Sequence, residues 1–131
     1  MADNHIVNHE ELIEQQMSPE LMSVLDFAKF NLSTELPTLS IDREYFILAT
    51  LAHKQNLLFS YLDEQLMSTS MEVIYNTFYQ VFSSRALSAV KPNRQSVLST
   101  SMTDTLYSAE QIAKELEDKY ITSIHVFLAI L

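Results

Sequence analysis

The sequence contains no glycine in 131 residues, where average composition would supply roughly nine. That absence removes the motifs that need a positive φ or a backbone without a Cβ: the phosphate-cradling Walker loop, the GxGxxG dinucleotide turn and the nucleophile elbow. Tight hairpin turns also lean on glycine, so a multi-stranded β fold would have to turn its corners on Asn or Asp. Cysteine is absent too, which excludes disulfides, thiol nucleophiles and thiolate metal sites and fits a reducing compartment. Cations are scarce, with 8 Lys and Arg against 17 Asp and Glu and a formal charge of −9. This balance opposes the phosphate neutralisation on which nucleic-acid binding depends, and anionic membranes are equally poor partners. No apolar run reaches transmembrane length, and the polar start MADNHIVNHEE lacks the basic and apolar regions of a signal peptide. A cytoplasmic location is expected.

What is present points to an all-α domain with a real core, since 47% of the residues are hydrophobic and 19% charged. Residues 1–17 read as a polar lead-in, frayed or weakly helical. Ser18-Pro19-Glu20 is a strong helix start: a capping hydroxyl, a proline at the first position and an acid facing the positive end of the dipole. Leu21, Leu25, Ala28 and Leu32 follow at helical spacing. Asp42 is the natural cap of the next segment, residues 43–53, which is apolar on nearly all sides and therefore reads as a buried helix. A third helix is expected over residues 55–66, with Leu58, Phe59, Tyr61, Leu62 and Leu66 inward. Thr69 with Glu72 fits a capping box before a fourth, which carries Tyr75, Phe78, Tyr79 and Phe82. Residues 83–95 read as a linker holding Arg85, Lys91 and Arg94, and a long helix is expected over 96–117.

The chain matches itself at an offset of 80 residues. Ile41, Leu48, Ala49 and Leu51 meet Ile121, Leu128, Ala129 and Leu131, while Asp42 and Thr122 both suit an N-cap. Upstream, Leu25 and Ala28 correspond to Leu106 and Ala109 once the first copy is allowed one extra residue near Pro37. Duplication accounts for the shared order of long helix, short loop, cap and buried helix. These residues resemble the N-terminal domain of Clp/Hsp100 ATPases, which carries two copies of a four-helix repeat. In that family the second helix of each repeat opens on an Ile, a capping residue and a Glu-His pair before a run of Leu and Ala. The first copy here keeps Glu44 and has Tyr45 for the His; the second keeps His125 and has Ile124 for the Glu. The family's glycine before the loop is replaced by Glu117 in the second copy.

The resemblance implies a pseudo-twofold repeat of four-helix units. Residues 18–82 form the first and 96–131 the first half of the second. It also implies a binding domain rather than an enzyme, with no cofactor. Such a domain receives substrate proteins or an adaptor for a hexameric AAA+ unfoldase, whose ATPase lies elsewhere. In some members the motif glutamates bind phosphorylated arginine; only Glu44 matches. A related role is the N-domain of a secretion-system sheath disassemblase that binds one sheath helix. The two loops before the motifs are expected to depart most from the family's geometry.

Other side chains have competing readings. The groove between the repeats is the natural docking place for an amphipathic segment, with Glu44, Tyr79, Phe82, Arg85, Lys91 and Arg94 as contact residues, although the aromatic spacing equally suits core. His5 and His9 could share a helical face for a metal in a small metal-dependent enzyme, but position 13 is Ile and the HExxH pattern fails. His53 and His125 read as structural. Phe127, Leu128 and Leu131 need cover, either from the first repeat or in a homodimer.

Overall fold

The computed structural model describes residues 9–36, 38, 40–86 and 97–131, with side chains at all of these except 9–12, 68, 85 and 86. The architecture is all-α. In chain order it comprises α1 (His9–Gln16), α2 (Pro19–Phe27), a π-helical turn (Ala28–Leu32), α3 (Ser33–Glu35), α4 (Arg43–His53), α5 (Leu57–Gln65), α6 (Ser68–Ala86), α7 (Thr100–Glu115) and α8 (Ser123–Ile130). Two-residue strands, β1 (Ser40–Ile41) and β2 (Val97–Leu98), pair in parallel just before α4 and α7.

Helix starts organise the fold, because the first N–H groups of each helix have no partner within it. Ser18 accepts from the Leu21 N–H, Asp42 from Arg43, Asn56 from Phe59, Ser99 from Met102 and Thr122 from His125. The capped starts then meet in two reciprocal junctions. At one, the Ser18 N–H donates to the Ile121 carbonyl at 2.8 Å and Met17 bridges Ile121 in parallel. At the other, the Ser99 N–H donates to the Ile41 carbonyl at 3.0 Å, beside the Ile41–Leu98 pair. A serine cap opening a long helix thus meets the isoleucine before a short buried helix, twice.

Glu20 ties the first junction to α5. Its Oε1 accepts from the Leu57 N–H at 2.7 Å and the Ser123 hydroxyl at 2.5 Å, and its Oε2 from the Ser123 N–H at 2.8 Å and the Ser18 hydroxyl at 2.7 Å. Ser123 Oγ in turn accepts from the Leu58 N–H at 3.0 Å. One carboxylate therefore satisfies donors at the starts of α2, α5 and α8.

The core runs from α1 through α2, α4 and α7 to α8, and Tyr45, Phe46, Leu21, Leu48, Met102 and Ile121 are among its fully buried side chains. As expected, α4 is buried nearly all round, with Arg43 and Glu44 left exposed in its first turn. Several expectations need correction. The lead-in, expected to be frayed or weakly helical, joins the core: α1 buries Ile13, and Met17, just past its end, is buried as well. Thr69 lies inside the first turn of α6, which starts at Ser68, so it caps nothing. That helix continues to Ala86, into the segment read as linker. Of the residues expected inward on α5, only Leu58 is buried, and Tyr61 and Leu66 are exposed because α5 is covered on one side alone. The π-helical turn takes one more residue than an α-helical turn, and it falls in the interval where the first copy has its extra residue; Pro37 itself lies outside the described residues. Finally, Phe127 is half-buried, but Leu128 and Leu131 remain 42% and 84% exposed, so the first half of the chain does not cover them.

Removing the Glu20 acceptor should be costly, because each hydrogen bond to a charged group contributes about 1.5–3 kcal/mol. Glu20→Ala is expected to lower unfolding free energy by about 3 kcal/mol in urea titration. Glu44→Ala, also in a first turn but exposed, is expected to change it by less than about 0.5 kcal/mol.

Candidate functional site

Asp42 sets the direction of α4 by accepting from the Arg43 N–H at 2.8 Å and from the Ser99 hydroxyl at 3.2 Å. Glu44 then projects from the first turn, exposed and with no hydrogen-bond or ion-pair partner among the described residues. Its neighbour Tyr45 turns inward. The Tyr45 hydroxyl donates to the Leu36 carbonyl at 2.8 Å, and its ring meets Phe82 edge-on with centroids 5.2 Å apart. Burial, and secondarily the negative field of Glu35, push the Tyr45 phenol well above its ordinary range.

Phe82 is accordingly a core residue and is not presented to a partner. Tyr79 donates to Glu35 Oε1 at 3.1 Å, and its ring lies tilted against Tyr75 at 5.8 Å. The hydrogen bond to Glu35 is the main cause that raises the Tyr79 phenol; for Tyr75 it is burial, followed by the charge of Glu35. The aromatic series is thus chiefly packing, with Tyr75, Phe78 and Tyr79 half-buried against the core. Arg85 sits in the last turn of α6 without a described side chain, and Lys91 and Arg94 lie outside the described residues, as does His5. Of the expected contact residues, Glu44 and Tyr79 therefore keep accessible polar atoms.

His125, Asp118 and Thr122 form a row that invites comparison with a nucleophile's relay. His125 Nε2 lies 2.7 Å from Asp118 Oδ2, and Nδ1 lies 3.0 Å from Thr122 Oγ1. The Thr122 backbone N–H also donates to Nδ1 at 2.9 Å, which occupies the lone pair a base would use and leaves Nε2–H to donate to Asp118. Glu20 occupies the adjacent Ser123 N–H, where an oxyanion would need a donor. The row is a capping box completed by a histidine. His53 is likewise structural: it stacks on Phe27 at 4.9 Å and its Nε2 lies 2.8 Å from Ser23 Oγ, joining the end of α4 to α2.

Two concavities flank α4. A shallow one of about 710 Å³ lies over α2 beside Met22, Asp26 and His53. The other, about 630 Å³, opens between the end of α4, α5 and α6. Leu51 and Met71 form its buried floor, Phe59 and Tyr75 are half-buried, and Asp63 and Glu72 are exposed at its rim. Sequence reading missed this site because its residues are spread over three helices with no common spacing. Glu20 was missed as well: it reads locally as a dipole acid, while its partners Leu57 and Ser123 lie 37 and 103 residues away. Among the described residues no cluster of His, Asp and Glu could hold a metal, and no helix is long and apolar enough to cross a membrane.

Because the Tyr45 phenol is raised in the fold, ionisation favours the unfolded chain; this stabilisation is intact below about pH 10 and is lost as pH rises beyond it. Tyr45→Phe should cost about 1 kcal/mol at neutral pH, from the unpaired Leu36 carbonyl. It should also lose less stability than the wild type between about pH 10 and 12 in urea titrations. No family model matches the chain, and no curated protein matches it.

Proposed function

We propose that this chain is a substrate- or adaptor-recognition domain of the Clp/Hsp100 type, a cytoplasmic binding domain that captures protein segments for an AAA+ unfoldase ring. The observation that carries the reading is the pair of reciprocal junctions, Ser18 with Ile121 and Ser99 with Ile41, in which the two aligned isoleucines each accept from the serine cap of the other half. Ala28 and Ala109, Ile41 and Ile121, and Phe46 and Val126 are buried alike in the two halves, which supports a duplicated unit. Glu117 adds further support. It follows α7 with φ 59°, in the left-handed region, where the family uses glycine.

Within this reading Glu44 is the ligand-facing member of the motif. It is the acidic side chain there that is exposed and has no hydrogen-bond or ion-pair partner among the described residues. The second copy places half-buried Ile124 at the corresponding position, so a matched pair of anion-bearing sites is not reproduced.

A titration of the isotopically labelled chain with a permanently unfolded protein and with short unstructured peptides tests the proposal. Saturable binding is expected, with Glu44→Ala weakening it about fivefold, roughly 1 kcal/mol, and leaving the urea midpoint in place. Absence of binding to every unfolded chain would contradict it. Tight binding to a single folded helix alone would favour the sheath-disassembly role instead.

A further inference from the structure

The cavity between α4, α5 and α6 sets an apolar interior beside carboxylates that no structural contact uses. Its floor, Leu51 and Met71, is apolar and buried, and two aromatic rings, Phe59 and Tyr75, line it. At the rim stand Asp63 of α5 and Glu72 of α6, exposed, neither with a hydrogen-bond or ion-pair partner among the described residues. A volume of about 630 Å³ falls within the range of ligand sites that bury most of a small group. The connection between α5 and α6, which follows Asp63 and precedes Met71 of this lining, exposes Leu66 and Met67, the latter 75% accessible.

These elements select a chemistry. An apolar floor receives methylene groups, aromatic faces attract a cation, and free carboxylates accept paired N–H bonds from a planar guanidinium. A phosphate or carboxylate ligand would meet the charge of Asp63 and Glu72 with only Lys54 to offset it. Lysine would satisfy the charge but not the fork geometry or the stacking. Leu66 and Met67 offer contact to apolar residues beside the cation, which a free small molecule would not use. We infer that this cavity binds an arginine side chain presented by a basic amphipathic protein segment, with Asp63 and Glu72 as its charge partners and Phe59 and Tyr75 as its stacking surface. The inference rests on the segment-binding role proposed above and names the class of segment preferred.

Two short peptides, identical except that one carries arginine between leucines and the other the isosteric, uncharged citrulline, are titrated into the full chain and followed by amide shifts. The arginine peptide is expected to move Phe59, Asp63, Met71, Glu72 and Tyr75, to weaken as salt rises, and to bind about tenfold more tightly than the citrulline peptide. Asp63→Asn combined with Glu72→Gln should remove that preference while leaving the urea midpoint unchanged, since neither carboxylate has a structural partner. Equal affinity for the two peptides, an unchanged preference in the double variant, or shifts confined to other helices would overturn the inference. If unfolded proteins still bind in those cases, the recognition role stands and this site falls; if no chain binds at all, both fall.

Discussion

Three helices begin around one carboxylate, and the rest of the structure is arranged to permit it. The starts of α2, α5 and α8 bring together amide donors that no helix can satisfy internally, at a partly buried junction. Glu20 accepts from both Ser18 and Ser123 hydroxyls and from the Leu57 and Ser123 amides, and Ser123 passes the satisfaction on to Leu58. The carboxylate also complements the positive ends of the converging helix dipoles. With α5 and α8 fixed at this point, Leu58, Ile121 and Val126 are held in the buried interior, and the opposite junction at Asp42 and Ser99 sets α4 against α7.

Much of this was legible in the chain. Ser18, Asp42 and Thr122 act as caps, α4 spans the expected residues and is buried nearly all round, and the lack of glycine does coincide with a helical fold. These are local signals: a capping side chain acts within three residues of itself, and all-round apolarity reports burial directly. The replacement of glycine by Glu117 suggested a loop of altered geometry, yet Glu117 adopts the left-handed conformation after α7, and Lys54 adopts it after α4.

What was not legible depends on distant partners. A polar stretch with a few apolar residues gave no hint that α7 would cover Ile13 and make α1 part of the core. Nor could spacing distinguish an extra loop residue from a π-helical turn, because both lengthen the path to Ile41 equally. The aromatic series of α6 fitted core and docking surface alike, and the Tyr45–Phe82 contact decides for core at Phe82. The candidate site follows the same rule: Glu44 was marked by its motif, whereas the cavity over Leu51 and Met71 exists only once α4, α5 and α6 are packed. Under the proposed binding role, the exposed carboxylates of Glu44, Asp63 and Glu72, which no structural contact uses, are the groups offered to a ligand.

The Glu20 junction belongs to the globally cooperative unit if it organises the fold, and native-state hydrogen exchange of the Leu57 and Ser123 amides tests this most directly. If the junction holds the fold together, both amides exchange only through global unfolding, with protection equal to that of core amides in α4 and falling with urea along the same slope. Exchange of either amide at a much lower free energy, insensitive to urea, would show that α5 or α8 opens locally without the rest and would contradict the central role given to Glu20.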